Sequence, residues 1–78
     1  MNKNYYFPAI NSKKTGENIR FLCREKNISV AQLQEVLFID SNQAIYSWFN
    51  GHTLPSLDSM YALSKLLDVP IEKILVTK

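Results

Sequence analysis

The chain has few of the residues that build catalytic, metal or nucleotide sites. It contains one cysteine, Cys23, and one histidine, His52, among its 78 residues. A zinc site needs about four nitrogen, sulfur or oxygen ligands, and no cluster in the sequence supplies them. With only two glycines there is no glycine-rich loop of the kind that holds a nucleotide phosphate. We expect no metal, no cofactor and no enzymatic activity, because a nucleophile with its base and orienting group is missing.

Long apolar runs are also missing. The longest, from Val36 to Ile39, is too short to span a membrane, and the start of the chain lacks the apolar segment of a signal peptide. A single cysteine cannot form an internal disulfide, so the expected compartment is a reducing cytoplasm. Free cysteine is commonly buried, and we expect Cys23 in a hydrophobic core.

Positive charge is scarce in the middle of the chain. The formal net charge is +2, but residues 1–26 carry +4 and residues 27–78 carry −2. From Ser29 to Ser64 there is no lysine or arginine. Such a balance permits nucleic-acid binding without indicating it. Neutralisation of phosphates would have to come from Lys3, Lys13, Lys14 and helix N-termini.

What the sequence does have is helical periodicity. Seventy-eight residues are enough for one domain, and no stretch alternates as strands do. The expected helices start at caps or turn residues: Thr15 (with the helix running to about Lys26), the capping box Ser29–Gln32, Ser41 (ending at Asn50–Gly51), Ser56 and Pro70. We predict an all-α domain of five helices over residues 15–78, with residues 1–14 as an N-terminal arm packed on it.

The apolar faces of these segments predict the core. The expected inward residues are Ile19, Leu22, Cys23, Val30, Leu33, Leu37, Ala44, Ile45, Trp48, Leu57, Met60, Leu63, Ser64 and Leu67. The aromatic segment Tyr5–Pro8 is interpreted as an arm packed over this core, with a dimer contact as the alternative. Phe49 is expected to be partly exposed.

Two short helices joined by a tight turn are the layout of a helix-turn-helix, in which the second helix enters the major groove. With Ala44, Ile45 and Trp48 inward, the outward residues of the third segment are Asn42, Gln43, Tyr46, Ser47 and Asn50. Asn and Gln side chains can bond adenine in bidentate fashion, and Ser can donate or accept. Any solvated helix shows a polar outer face, however, so the spacing leaves both interpretations open.

Several segments together carry a family pattern. They are Thr15–Arg20, Ser29 with Leu33, Ala44–Gly51, Leu54–Leu57, Leu63–Pro70 and Ile74–Leu75. Through them residues 15–76 resemble the lambda-repressor-like, Cro/cI-type (XRE-type) helix-turn-helix domain of bacterial and phage transcriptional regulators. Tyr5–Ile10, Leu33–Gln34 and Gln43–Tyr46 further resemble a subgroup of small stand-alone bacterial regulators.

The resemblance implies a sequence-specific regulator, expected to be a repressor, that binds double-stranded DNA and can pair as a homodimer. By this resemblance the base-reading residues are Asn42, Gln43, Tyr46 and Ser47. The phosphate-binding residues are Asn50, His52 and Thr53, with Ser29 and Val30 contributing backbone N–H groups. Lys13 and Lys14, placed just before the first helix, suit a phosphate contact as well.

The turn between the second and third helices departs from the family pattern. Leu33 and Ile45 are twelve residues apart, one more than the family turn allows. Phe38 or Ile39 stands where the family prefers glycine. A positive φ at either residue would cost about 1–2 kcal/mol. We expect the extra turn residue to let the backbone avoid this conformation. Gln34 replaces the small residue that lets the two helices pack closely.

The missing basic residues between Ser29 and Ser64 support an alternative function. A helix-turn-helix scaffold without them can present Tyr46, Phe49 and the N-terminal aromatic residues to a protein. This alternative is a protein-interaction module or an antitoxin component with weak or no DNA binding.

Overall fold

The computed structural model describes residues 9–78, which form five α-helices. One isolated β-bridge joins the beginning of this range to its end. The helices are α1 (Ser12–Glu25), α2 (Val30–Leu37), α3 (Asn42–Phe49), α4 (Leu57–Leu67) and α5 (Ile71–Ile74). The predicted all-α, five-helix fold is confirmed. The predictions for Lys3 and for the Tyr5–Pro8 segment lie outside the described residues.

Serine side chains begin three of the helices as predicted. Ser29 and Gln32 form the complete capping box, in which Gln32 Oε1 accepts the Ser29 N–H at 2.7 Å. Ser41 caps α3 and Ser56 caps α4. Gly51 follows α3 with a φ of 80°, the left-handed conformation expected of a glycine after a helix end. The boundaries of the three central helices thus follow from local hydrogen bonding.

The first helix begins earlier than predicted, at Ser12, and Thr15 is not its cap. Asn11 is the cap, and its Oδ1 accepts the Lys14 N–H at 3.0 Å. Thr15 is fully buried, and its Oγ1 accepts the N–H of Val76 at 2.9 Å. Lys14 and the neighbouring lysine at position 13 therefore lie in the first turn of α1 rather than before it. Sequence periodicity misplaced the start because the partner of Thr15 lies at the far end of the chain.

Each helix contributes at least one fully buried side chain to a common core. These residues are Ile19, Leu33, Ile45, Leu63, Leu67 and Ile74. Two predictions about the core are wrong. Leu57, expected inward, is 81% exposed because it opens α4 on the outer side, and Phe49, expected to be partly exposed, is buried at the end of α3. Cys23 is buried as predicted, and desolvation raises the pKa of its thiol to about 11.

The contact between α1 and α3 depends on Gly16. A Cβ at this position would lie 2.9 Å from the carbonyl oxygen of Phe49 and closer still to that of Trp48. Only a glycine lets the two backbones come this near. The close approach fixes the C-terminal end of α3 against the middle of the domain.

The two ends of the described chain are joined. The Asn11 N–H donates to the Val76 carbonyl at 2.7 Å, and the Lys78 N–H donates to the Ala9 carbonyl at 2.8 Å. Asn18 on α1 donates from Nδ2 to the carbonyls of Lys73 and Ile74, which end α5 and have no partner inside it. These bonds hold α1 against the C-terminal segment.

Candidate nucleic-acid interface

The turn between α2 and α3 contains an aromatic residue in the left-handed conformation. Phe38 has φ 54° and ψ 46°, and its side chain is 92% exposed. The expectation that the extra turn residue avoids a positive φ is therefore wrong. The next residue, Ile39, donates its N–H to the Gln34 carbonyl at 3.0 Å, which closes the helix end around the strained position.

The outward face of α3 consists of the four predicted base-reading residues and Asn50. Asn42 and Gln43 are exposed, Tyr46 is 45% exposed and Ser47 is half-buried. The Ser47 hydroxyl lies 2.9 Å from that of Thr53, so one of its bonds is already made within the protein. The exposed amides each keep a donor and an acceptor for a ligand. The face can therefore offer paired hydrogen bonds at its N-terminal end.

The loop after α3 turns its backbone N–H groups inward. The Asn50 N–H donates to Tyr46, that of Gly51 to Trp48, and those of His52 and Thr53 to Ser47. An anion near residues 50–53 would consequently be bound by their side chains rather than by these N–H groups. Those of Asn50, His52 and Thr53 are all exposed.

The start of α1 lies against this loop. A Cβ on Gly51 would be 2.6 Å from the Cα of Lys13, so the two backbones touch although they are far apart in sequence. The Lys13 Nζ is 3.9 Å from Glu17, an exposed pair that holds the side chain only weakly. The fold thus brings Lys13, itself predicted to contact phosphate, next to the loop residues with the same predicted role. Lys14 is exposed on the same turn of α1.

A shallow cavity of about 190 Å³ lies between α1, the start of α2 and α3. Arg20, Arg24, Ser29, Val30, Tyr46 and Phe49 are among the residues that line it. It therefore places the predicted residues Ser29 and Val30 beside Tyr46. The Ser29 N–H is engaged by Gln32, whereas the N–H of Val30, at the first position of α2, has no acceptor in a preceding helical turn.

Arg20 and Arg24 line this cavity, and sequence reasoning did not single them out as candidates. The Arg20 Cζ lies 5.7 Å from the centroid of the Phe49 ring, and that ring meets Tyr46 edge to face, with centroids 6.0 Å apart. Arg24 is one helical turn further along α1 and is exposed. Because they are four residues apart on a helix, the sequence alone indicates that the two arginines share one face. Only the packing of α1 on α3 shows which residues that face approaches. Positive charge thus reaches the face of α3 from another helix.

Other kinds of site find no support among residues 9–78. No group of three or more His, Cys, Asp or Glu side chains in that range could hold a metal ion. No helix within it is long and apolar enough to cross a membrane.

Comparisons with known proteins agree with the fold described above. The family model described as Helix-turn-helix (HTH_3) matches residues 19–74, most of the chain. The P22 c2 repressor, solved in complex with the synthetic operator 9T, is 33% identical over 78% of this chain and 91% of its own, with a TM-score of 0.71. The restriction-modification controller protein C.AhdI from Aeromonas hydrophila shares the fold, with 22% identity over 80% of this chain and 92% of its own and a TM-score of 0.69. No curated protein matches the chain significantly.

Proposed function

The chain belongs to the helix-turn-helix family, and on this premise we propose that it is a sequence-specific DNA-binding transcriptional regulator that acts as a repressor. The observation that carries the proposal is the exposed polar face of α3 beside the two arginines of α1. A similar chain, the P22 c2 repressor, was solved with an operator. A helix-turn-helix reads DNA by placing its second helix, here α3, in the major groove.

Base reading is assigned to the outward side chains of α3. Asn42 and Gln43 stand in the first turn of the helix, where side chains of such a reading helix meet base edges. Their amides can bond adenine through its N6 and N7 atoms. Tyr46 is 45% exposed, and its ring suits a thymine methyl group. Ser47 can use the hydroxyl lone pair or proton that Thr53 leaves unused.

Phosphate binding is assigned to two groups of residues. One group is the α1–loop junction, with Lys13, Lys14 and the side chains of Asn50, His52 and Thr53. The other is the cavity, with Arg20, Arg24, Ser29 and the Val30 N–H at the positive end of α2. The arginines supply the charge that α2 and α3 lack. We expect modest affinity per chain and a shallow salt dependence, since only four lysines and arginines per chain are assigned to phosphate and none of them is on α2 or α3.

Selection of bound sequences from a random duplex pool tests this proposal. Enrichment of one motif, with tighter binding to it than to its scrambled version, is the expected result. Equal affinity for the selected and the scrambled duplex would contradict sequence-specific reading. A duplex titration at about 50 mM salt, where non-specific affinity is strong, tests DNA binding itself. Absence of binding there would contradict the proposal as a whole.

A protein-interaction module or antitoxin component is the second candidate. The exposed ring of Phe38 favours it, because none of residues 9–78 buries that side chain. The burial of Phe49 counts against it, since that ring is not available to a partner. The titration just described separates the two candidates, because this second function predicts weak or no DNA binding at low salt.

A further inference from the structure

The hydroxyl groups of Ser47 and Thr53 form a pair that links α3 to the loop after it. Ser47 Oγ and Thr53 Oγ1 lie 2.9 Å apart, so one hydroxyl donates to the other. The backbone holds the pair in place, because the Ser47 carbonyl accepts the N–H of His52 at 3.0 Å and that of Thr53 at 3.4 Å. Ser47 is half-buried, whereas Thr53 is exposed. The pair is therefore formed in the free protein, before any ligand binds.

Two hydroxyl groups carry two protons, and one of these protons lies between the partners. Each hydroxyl can donate once and accept twice. If Thr53 donates to Ser47, Thr53 has no proton left for another acceptor and Ser47 keeps its own. If Ser47 donates to Thr53, the Thr53 proton is free and Ser47 offers only lone pairs. The ligand that one residue binds thus decides what the other can bind.

A phosphate beside the loop selects the second of these arrangements. The non-bridging oxygens of a DNA phosphate are negatively charged and only accept hydrogen bonds. Thr53 can bond such an oxygen only by donating its proton. The bond between the two hydroxyls is then donated by Ser47. Ser47 Oγ, on the outward face of α3, remains as an acceptor only.

We propose that Thr53, through its phosphate contact, makes Ser47 a reader of base amino groups. The amino groups exposed in the major groove are adenine N6 and cytosine N4. An acceptor-only Ser47 bonds these groups and cannot bond guanine O6 or thymine O4, which are acceptors themselves. Thr53 is thereby a positioning residue for base recognition. The inference rests on the proposed function, which assigns a base contact to Ser47 and a phosphate contact to Thr53.

This restriction does not apply to the two amide residues at the start of α3. Asn42 and Gln43 are exposed, and each amide has both donors and an acceptor. Gln43 lies one helical turn before Ser47, so the two side chains share a face. That face therefore combines amides, which can donate and accept at once, with a hydroxyl that only accepts. The two kinds of reader respond differently when one functional group is removed from a base.

Removal of single functional groups from the DNA tests the acceptor role in the wild type. Ser47→Ala identifies the contacted base pair as the position at which preference is lost. The amino group of that pair is then replaced by hydrogen, with purine in place of adenine or 2-pyrimidinone in place of cytosine. We expect the wild type to lose about tenfold in affinity, as for one base hydrogen bond, relative to the loss in Ser47→Ala. The comparison with Ser47→Ala cancels the effect of weaker base pairing.

Two results of this experiment would overturn the inference. One is a wild type that loses affinity when the O4 or O6 carbonyl oxygen of the pair is removed and not when the amino group is removed, because Ser47 would then be the donor. The other is a Ser47→Ala variant whose preference is unchanged at every position, because Ser47 would then read no base.

Thr53→Val tests the role of Thr53, because valine keeps the branched shape and lacks the hydroxyl. Ser47 then keeps its proton and can donate to a carbonyl oxygen. Reversal of the contacted base pair exchanges the amino-bearing base for the carbonyl-bearing one. We expect the affinity penalty of this reversal to fall about tenfold in Thr53→Val, to the value found for Ser47→Ala. All duplexes should also bind more weakly, since a phosphate contact is lost.

Two further variants accompany Thr53→Val. Thr53→Ser returns a hydroxyl and should restore the penalty of pair reversal. Thr77→Val makes the same substitution at an exposed threonine in the β-bridge, and it should change neither affinity nor preference. Thermal unfolding confirms that each variant is folded. An unchanged penalty of pair reversal in folded Thr53→Val would overturn the inference.

The same measurements separate this inference from the proposed function. A wild type that reads sequence while Thr53→Val keeps the wild-type preference would overturn the role of Thr53 and leave the proposed function intact. A wild type that binds no duplex at about 50 mM salt, where non-specific affinity is strong, would overturn the proposed function and this inference together.

Discussion

Gly16 on α1 lies directly against the carbonyl oxygen of Trp48 on α3, with no room for a Cβ between them. Because Trp48 is in the last turn of α3, this contact fixes how the proposed reading helix sits on the domain. The absence of a side chain at position 16 thus sets the distance between α1 and α3.

Gly16→Ala is expected to destabilise the domain by about 1–3 kcal/mol or more, because the added methyl group must push two backbones apart. Chemical denaturation measures the change in the free energy of unfolding. Glu17→Ala is the control: that side chain is exposed and makes only a surface ion pair, so its loss should change stability little. A Gly16→Ala variant as stable as the wild type would contradict the close approach.

Phe38→Gly is expected to stabilise the domain by about 1 kcal/mol. The phenylalanine is held at a φ of 54° with its ring in solvent, so it bears the cost of the left-handed conformation without compensating burial. Thermal unfolding measures the effect. Val36→Gly, in the helical part of α2, is the control and should lose about 1 kcal/mol instead. A destabilised Phe38→Gly variant would mean that the ring makes a stabilising contact.

Gln43→Ala is expected to weaken binding to the selected duplex by about 1–3 kcal/mol and to relax preference at one base position. Gln43 is exposed at the start of α3, where its amide can reach a base edge. Affinity for the selected duplex and for its single-base variants measures both effects. Gln34→Ala removes an amide of the same kind from α2 and should leave the preference intact. Uniform weakening across all duplexes would place Gln43 at a phosphate rather than a base.

Arg24→Ala is expected to weaken DNA binding about equally for all sequences and to reduce the slope of log affinity against log salt by about 1. The physical reason is the loss of one phosphate-neutralising cation beside the start of α2. Binding isotherms at several salt concentrations provide the slope. Lys73→Ala on α5, outside the cavity, is the matched control. An unchanged slope in the Arg24 variant would remove the cavity from the interface.

The free energy of unfolding of the wild type is expected to fall between about pH 9 and pH 11. The Cys23→Ala variant is expected to lack this fall. Burial raises the pKa of the Cys23 thiol from 9.0 to about 11. Above pH 9 the unfolded thiol therefore loses its proton while the folded one keeps it. Fewer bound protons in the unfolded state mean that stability decreases as pH rises, by up to about 2–3 kcal/mol in total. If the stability of both proteins depended on pH in the same way, that result would contradict the burial of the Cys23 thiol.

The sequence was sufficient for what depends on neighbours along the chain. Serine caps, the glycine after α3 and the apolar faces of α2 and α3 are local patterns, and the structure confirms them. The outward set of α3 followed from the same periodicity. These features need no knowledge of which helix packs on which.

What the sequence missed depends on contacts between distant segments. Thr15 was taken for a cap because its partner, Val76, is visible only in the fold. Phe49 was expected to be partly exposed because periodicity does not reveal that α1 covers the end of α3, and Arg20 and Arg24 were missed for the same reason. Leu57 was placed inward because the first residue of a helix can face either way. In each case the deciding interaction is with another element.

The hydrogen bonds between Thr15 and Val76 have a consequence for the order in which the protein forms. They join residues separated by 61 positions, whereas the serine caps of α2, α3 and α4 bond within three residues. During synthesis α1 leaves the ribosome first, yet its buried hydroxyl obtains its partner only after Val76 has emerged. Closing so long a loop is entropically costly compared with forming one helix. The earliest helix to be made therefore completes its hydrogen bonds only when the end of the chain is in place.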